Sequence, residues 1–120
     1  MRLSAVIPAL NEERHLGGLL SDLQRQTRSL DEVIVVDAGS SDATVRIAER
    51  SRVAVIHGEP PVARGRNLGG YAATGDLIFF LDADTRLPET FVENFSFARS
   101  NAGAWTWPAR ATFPTTPRPR

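Results

Sequence analysis

Short apolar runs alternate with amphipathic segments along most of the chain. Four of these runs, at residues 3–8, 32–37, 53–57 and 77–82, are predicted to be strands because they are rich in valine, isoleucine, leucine and phenylalanine. The stretches "VIVV" and "LIFFL" contain no polar residue, which is typical of strands covered on both faces. The pattern therefore predicts a sheet buried between layers of helix.

The segment between the first two runs has the spacing of an amphipathic helix. Four leucines recur at i, i+3, i+4 and i+7, which predicts one buried stripe: Leu16, Leu19, Leu20 and Leu23. Asn11 is predicted to cap this helix, with Glu12 and Glu13 in the first turn, where carboxylates interact favourably with the helix dipole. Glu13 is expected on the outer face of the helix.

Three further segments are predicted to be helical. Ser41 or Asp42 is the predicted cap of the second helix, and the third, "ARGRNLGGYAAT", is expected to be weakened by Gly69 and Gly70. Pro88 is predicted to occupy the first position of the last helix. The apolar face of that helix is predicted to hold Phe91, Val92 and Phe95.

The order of the elements, βαβαβαβ and then a helix, predicts an α/β fold: a three-layer, mainly parallel sheet with helices on both faces. The fourth strand is expected to be central and to end at Asp82. A chain of 120 residues has room for one hydrophobic core. Residues 1–100 are predicted to form this domain, and residues 101–120 an irregular tail rich in proline and arginine. The absence of acids from that tail suggests a truncated or frame-shifted end.

Charge and composition exclude several classes of function. Fourteen arginines balance fourteen acids, so no net field attracts nucleic acid or an anionic membrane. The lack of cysteine excludes disulfides and thiolate metal sites. No apolar run approaches the roughly 18 residues of a membrane-spanning helix. The protein is expected to be cytoplasmic, or peripheral to the inner face of the membrane, and to recognise its ligand through a local site.

Polar residues follow three of the predicted strands, at the edge where open parallel sheets bind ligands. They are the segment Pro8 to Glu12, Asp37, and the pair Asp82 and Asp84. In an extended segment the last two point to one side and Ala83 to the other. Two carboxylates about 5 Å apart repel by roughly 3 kcal/mol at an effective dielectric constant of 20, and a divalent cation removes that repulsion. Oxygen ligands without nearby histidine or cysteine favour Mg²⁺ or Mn²⁺ over zinc.

Four motifs in order resemble the nucleotide-binding half of a family 2 glycosyltransferase with the GT-A fold. They are "AVIPALNEE", "EVIVVDAGSSDAT", "GRNLGG" and "GDLIFFLDADTRLP", and the resemblance covers about residues 3 to 95. It implies transfer of a sugar from a nucleoside-diphosphate sugar to an acceptor hydroxyl of a glycan, lipid or small molecule, with a divalent metal. One departure is that Asp37 is followed by Ala38, where many members of the family carry a second acid.

The resemblance also implies roles for individual residues. Those matching the family motifs are expected to bind the nucleotide sugar: Pro8, Asn11 and Glu12 at the base and ribose, Asp37 at the nucleotide, and Asp82 and Asp84, flanking Ala83, at the metal and diphosphate. Arg66 precedes the fourth strand, a position that suggests contact with the diphosphate. Taken alone, however, Arg66 could belong to a solvated helix face, Glu12 could serve only the helix dipole, and Asp37 could begin a turn.

The general base is not identified among these residues. Glu89 and Glu93 are the only acids beyond Asp84, and in a helix they share a face that is more consistent with solvent than with an acceptor site. The 120 residues are therefore expected to bind nucleotide weakly and to transfer no sugar. Two alternatives remain open: a catalytically dead nucleotide-binding or interaction module, and a phosphatase with an aspartyl nucleophile, since "FFLDADT" places an aspartate pair after a strand.

Overall fold

A computed structural model describes residues 1–95 of the chain. The tail that the sequence predicts at residues 101–120 lies outside the described residues. Four strands and three helices alternate, and residues 91–95 are also helical. The elements are β1 (Leu3–Ala9), α1 (Leu16–Gln24), β2 (Glu32–Asp37), α2 (Thr44–Arg50), β3 (Ala54–His57), α3 (Val62–Ala72) and β4 (Leu77–Phe80).

The four strands form one parallel sheet in the order β3-β2-β1-β4. Ala5 of β1 lies opposite Val33 of β2 on one side and opposite Phe79 of β4 on the other. The chain therefore builds the sheet outward from β1 to β3 and then crosses back to place β4 on the other side of β1. The α/β class and the parallel sheet are confirmed.

Both faces of the sheet are covered, as predicted. On one face, the leucine stripe of α1 packs with Ala48 of α2 against alternate residues of β1, and all four leucines of the stripe are buried. On the other face, Ala73 and Leu68 pack against Val6, Val36 and Ile78. The β1 side chains divide between the two clusters in alternation because successive residues of a strand point to opposite faces.

The predicted central position of β4 is wrong within the described sheet. β4 pairs with β1 on one side and forms the edge of the four strands, while β1 and β2 lie inside. The strand also ends at Phe80 rather than at Asp82. A continuously apolar run reports burial of the two faces of a strand, which β4 has, since Ile78 and Phe79 are both buried. It does not report how many neighbouring strands flank it.

The first two helices begin later than the sequence predicts, whereas α3 begins at Val62, one residue before the predicted segment. The first residue of α1 is Leu16. Asn11 therefore does not cap the helix, and Glu12 and Glu13 lie outside its first turn. Ala43, rather than Ser41 or Asp42, precedes the first residue of α2, although the Asp42 carboxylate accepts a hydrogen bond from the N–H of Thr44 at 2.9 Å.

The last helical residues begin at Phe91, three positions after Pro88. Pro88 therefore does not occupy the first position of that helix. Its carbonyl instead accepts a hydrogen bond from the N–H of Phe91 at 3.1 Å, in a turn that precedes the helical residues.

The glycines of α3 bring the helix close to the sheet. A Cβ on Gly65 would lie 3.2 Å from Cβ of Pro8, and one on Gly69 would overlap Cγ1 of Val6 and lie 3.2 Å from Cγ2 of Val36. The glycines at i and i+4 therefore form a flat face that packs against β1 and β2. The sequence interpretation treated Gly69 only as a source of helix weakness and missed this packing.

Candidate functional site

The predicted site residues gather at the carboxyl edge of the sheet, where β1 and β4 lie side by side. The loop after β1 runs over residues 10–15 and the loop after β4 over residues 81–90. Because β2 and β4 flank β1 on opposite sides, this edge is the switch point of the sheet, where open α/β folds bind ligands.

Asp37 ends β2 and is 4% exposed. Its Oδ2 accepts hydrogen bonds from the backbone N–H groups of Gly39 and Ser40, both at 3.1 Å, as expected for an aspartate that begins a turn. Its Oδ1 is buried and has no protein hydrogen-bond partner, the sole such side-chain atom found among residues 1–95. An unpaired buried oxygen costs about 1–3 kcal/mol, and more when it is charged. The alternative hypothesis, that Asp37 begins a turn, therefore explains the hydrogen bonds of Oδ2 but not the burial of Oδ1.

The loops after β1 and β2 are joined by side-chain to backbone hydrogen bonds. Asn11 has a φ of 53°, a left-handed conformation that asparagine tolerates, and its Oδ1 accepts a hydrogen bond from the N–H of Ser41 at 2.9 Å. The backbone N–H of Glu12 donates to Oγ1 of Thr44 at 2.9 Å. Asn11 thus orders two loops beside the site, a role that the capping prediction missed.

Glu13 also belongs to this connection between loops. Its Oε1 accepts a hydrogen bond from the N–H of Ala43 at 3.1 Å, and its own N–H donates to Oδ2 of Asp42 at 3.2 Å. The expectation of an outer helix face is wrong because α1 begins only at Leu16, which leaves Glu13 in the loop.

Asp82 and Asp84 follow β4 in a short turn closed by the N–H of Thr85 on the carbonyl of Asp82 at 3.0 Å. Both aspartates are exposed, and Ala83 between them is 3% exposed and packs in the core. Arg66 of α3 contacts Asp82, with 3.0 Å between its guanidinium and Oδ1. The structure thus places a cation directly beside the aspartate pair.

The remaining predicted residues take different positions. Pro8 is buried in β1, below Gly65 of α3. Glu12 is half-buried, with its Oε1 3.1 Å from Nδ1 of His15. Asp37 follows β2 and the aspartate pair follows β4, so they lie at the same edge of the sheet on opposite sides of β1.

The aspartate pair is the candidate metal site. No group of three or more histidine, aspartate or glutamate side chains with the arrangement of a metal site occurs in residues 1–95. Magnesium and manganese sites that bind nucleotides commonly use one or two carboxylates together with phosphate oxygens. Asp82 and Asp84 therefore fit such an ion in their chemistry, provided that a ligand supplies the other oxygens.

A carboxylate that the sequence interpretation missed anchors the loop after β4. Asp22 lies on α1 beside the leucine stripe and is 4% exposed. It accepts two hydrogen bonds from Arg86, at 2.7 and 3.1 Å, one from the N–H of Leu87 at 2.9 Å, and one from Arg25 at 3.1 Å. The signal available in the sequence was an aspartate on the buried side of an amphipathic helix.

The side-chain hydrogen bonds from Arg86 lower the pKa of Asp22 from 3.8 to about 2. The folded state therefore favours the ionised carboxyl, and its stabilisation is present above about pH 4 and lost as the pH falls toward 2. We expect Asp22→Asn to lower the free energy of unfolding by about 1–2 kcal/mol at pH 7, since solvent around the exposed guanidinium screens the pair. Urea unfolding of both proteins should show a smaller difference at pH 2.5. A difference that does not change with pH would contradict the assignment.

Comparison with known proteins defines the class to which this fold and site belong. The sequence profile of the family described as Glycosyl transferase family 2 matches residues 4–97, which is more than half of the chain. The protein therefore belongs to glycosyltransferase family 2. The resemblance seen in the four sequence motifs is confirmed, as is the GT-A fold.

Individual relatives agree with the family. The chain is 33% identical over 97 residues to glucosyl-3-phosphoglycerate synthase of Petrotoga mobilis, which covers 70% of this chain and 30% of that protein. The chain spans 30%, 28% and 33% of the length of three of the curated relatives it matches, and 16% of a fourth.

Two solved structures extend the comparison. The glucosyl-3-phosphoglycerate synthase of Mycobacterium tuberculosis, in complex with Mn²⁺, UDP and glucosyl-3-phosphoglycerate, has a TM-score of 0.71 and 26% identity, over 86% of this chain and 40% of that one. S. aureus TarS in complex with UDP-GlcNAc has a TM-score of 0.73 and 25% identity, over 84% of this chain and 32% of that one.

Proposed function

We propose that this region of the protein binds the sugar donor of a glycosyltransferase, a nucleoside-diphosphate sugar held with Mn²⁺ or Mg²⁺. The observation that carries the proposal is the contact between Arg66 and Asp82 at 3.0 Å. It places a guanidinium, which suits phosphate oxygens, beside two exposed carboxylates, which suit a divalent ion. Together these groups complement a diphosphate that binds with a divalent metal. The solved relatives in complex with UDP or UDP-GlcNAc support a nucleotide ligand of this class.

Each group has a role in this proposal. Asp82 and Asp84 would hold the metal, which when bound would neutralise the charge that develops on the nucleoside diphosphate as it leaves. Arg66 exchanges its bond to Asp82 for bonds to the diphosphate. Asp37 accepts a hydrogen bond from the nucleotide through Oδ1, which requires a small movement because that oxygen is buried.

The loop after β1 completes the proposed nucleotide pocket. Asn11 and Glu12 lie in it, and its hydrogen bonds to Ser40, Ser41 and Thr44 hold it against the loop after β2. Pro8 is buried and contributes to the shape of the pocket floor. These loops would contact the base and ribose, while the loop after β4 contacts the diphosphate.

The base that removes the proton from the acceptor hydroxyl is not assigned to these residues. Glu89 and Glu93 are exposed in the described structure, and the sequence has no acid after Glu93. This observation favours donor binding without transfer by the 120 residues alone. Residues 1–95 contain no helix that is both long and apolar enough to cross a bilayer.

Isothermal titration calorimetry tests the proposal with UDP and UMP, each with Mn²⁺ and without it. We expect Mn²⁺ to tighten UDP binding at least about tenfold, equivalent to about 1.4 kcal/mol, because Asp82 and Asp84 would hold the metal, which would supply positive charge to the diphosphate. UMP is the matched control, since it lacks the second phosphate and should gain less from the metal. Equal affinities for UDP with and without Mn²⁺ would contradict the metal assignment. Hydrolysis of a simple phosphate ester without any nucleoside would favour the phosphatase alternative.

A further inference from the structure

The loop that carries the aspartate pair has little regular structure of its own. Residues 81–90 contain no helix or strand, and the turn at Asp82 is closed by one backbone hydrogen bond. At its start, the N–H of Leu81 donates to the carbonyl of Val6 at 3.0 Å, which joins the loop to the sheet. A loop held at only one end would sample many positions, and a metal site needs its ligands fixed.

The other end of the loop is fixed by the C-terminal part of α1. The Asp22 carboxylate accepts hydrogen bonds from the Arg86 side chain and from the N–H of Leu87. Four residues later, just after α1 ends, the Gln26 side chain donates to the carbonyl of Pro88 at 2.7 Å and accepts from the N–H of Val92 at 2.9 Å. The leucine stripe holds α1 itself against the sheet. The loop is therefore tied to the rigid part of the fold on both sides of the aspartates.

Packing around Arg86 shows that the contact is specific. A Cβ on Gly18 would lie 3.2 Å from Cζ of Arg86, so the glycine lets the guanidinium lie close along α1. The two hydrogen bonds to Asp22 use both carboxylate oxygens, the bidentate geometry that distinguishes arginine from lysine. A nearly buried carboxylate on the packed face of a helix is unusual unless it is paired.

We propose that Asp22 is a positioning residue for the sugar-donor site. Through Arg86 and Leu87 it holds the loop so that Asp82 and Asp84 are ready to bind the metal and diphosphate. We call the contact of Asp22 with Arg86 and Leu87 the clamp. Arg86 lies two residues after Asp84, so a change at the clamp is transmitted to the aspartates over a very short length of chain. The inference rests on the proposed function, because it concerns the same site.

Three variants test the clamp by calorimetry with UDP, with and without Mn²⁺: Asp22→Asn, Arg86→Gln and the double variant. We expect each to weaken the Mn²⁺-dependent binding of UDP by about 10-fold, the lower end of the range for residues that orient metal ligands. Binding of UDP without Mn²⁺ should change less than about twofold, since the proposed base and ribose contacts lie on other loops. The Mn²⁺-dependent affinity of the double variant for UDP should be no lower than that of the weaker-binding single variant, because both changes break the same contact.

Matched variants separate positioning from a general loss of stability. Arg86 is exposed, so Arg86→Gln should fold even if Asp22→Asn does not. Arg86→Lys keeps the charge but loses the bidentate contact, and it should recover part of the affinity. Glu32→Gln removes a carboxylate that accepts hydrogen bonds from Ser4 and Thr74 at the opposite end of the sheet. It should leave UDP binding unchanged with or without Mn²⁺.

Amide hydrogen exchange provides a second measurement that needs no ligand. Exchange of the amides in residues 82–87 should rise at least about tenfold in Asp22→Asn and Arg86→Gln, while β1 and β2 stay protected. Wild-type Mn²⁺-dependent affinity in both variants would overturn the proposal. If the wild-type protein binds no UDP, the proposed function fails, and the positioning role fails with it. Raised exchange in the variants would in that case still show that the clamp orders the loop.

Discussion

Asp84→Ala is expected to abolish the Mn²⁺-dependent binding of UDP. Asp84 is exposed beside the buried Ala83, and with Asp82 it supplies the two carboxylates of the proposed metal site. Loss of a residue that only orients a metal ligand costs 10–100-fold in metal affinity, so loss of a direct ligand should cost at least about 100-fold. The remaining carboxylate, Asp82, is also paired with Arg66, which competes with the metal. Calorimetry of the variant with UDP should show the same weak binding with and without Mn²⁺.

Glu49→Ala is the control for this experiment. Glu49 is an exposed carboxylate on α2, so its removal changes the net charge by the same amount as Asp84→Ala. Its UDP binding should retain the full response to Mn²⁺. Glu13→Ala would be a poor control because Glu13 joins the loops after β1 and β2. If Asp84→Ala bound UDP with the wild-type response to Mn²⁺, the metal would have to be held elsewhere.

Gly69→Ala should destabilise the fold by about 3 kcal/mol, although the same change in an exposed helix is usually favourable. The added methyl group would overlap Cγ1 of Val6 and approach Cγ2 of Val36 at 3.2 Å. Both valines are fully buried in neighbouring strands, so neither can move without disturbing the sheet. A loss of this size is a large share of the stability of a small domain. Urea unfolding at pH 7 measures it.

Gly17→Ala is the matched substitution for this prediction. It also replaces a helical glycine with alanine, but the nearest side-chain atom to its Cβ is Cγ2 of Ile47 at 3.7 Å, an ordinary contact. We expect Gly17→Ala to be neutral or stabilising by up to about 1 kcal/mol. The difference between the two variants therefore isolates the close contact between α3 and the sheet. Equal stabilities would show that α3 can shift outward without cost.

The sequence was a sound guide to those parts of the molecule that depend on local patterns. The spacing of the leucines in α1 reports a buried stripe directly, because a helix brings every third or fourth residue to the same side. Alternation around Ala83 likewise predicted that Asp82 and Asp84 point to one side and Ala83 to the other, and in the structure Ala83 is buried while both aspartates are exposed. These features depend on positions only a few residues apart.

The errors arose where residues far apart in the sequence meet. Asn11 was predicted to cap α1, but it orders the loop that lies 30 residues later. The role of Asp22 was missed because its partner, Arg86, is 64 residues away in the sequence. The role of Gly69 as a close-packing residue depends on valines in two different strands. No local pattern contains this information.

By itself, the sequence determined the α/β class, the order of strands and helices, the leucine stripe of α1 in the core, and the motifs that identify the glycosyltransferase family. It did so because hydrophobic periodicity and turn chemistry act over short stretches of chain. Only the tertiary structure decided that β4 lies at the edge of the described sheet, that Arg66 meets Asp82, and that Asp22 holds the loop after β4. The physical reason is that strand order and ion pairs are fixed by how elements distant in the chain pack together, and that packing depends on the shape of the whole core.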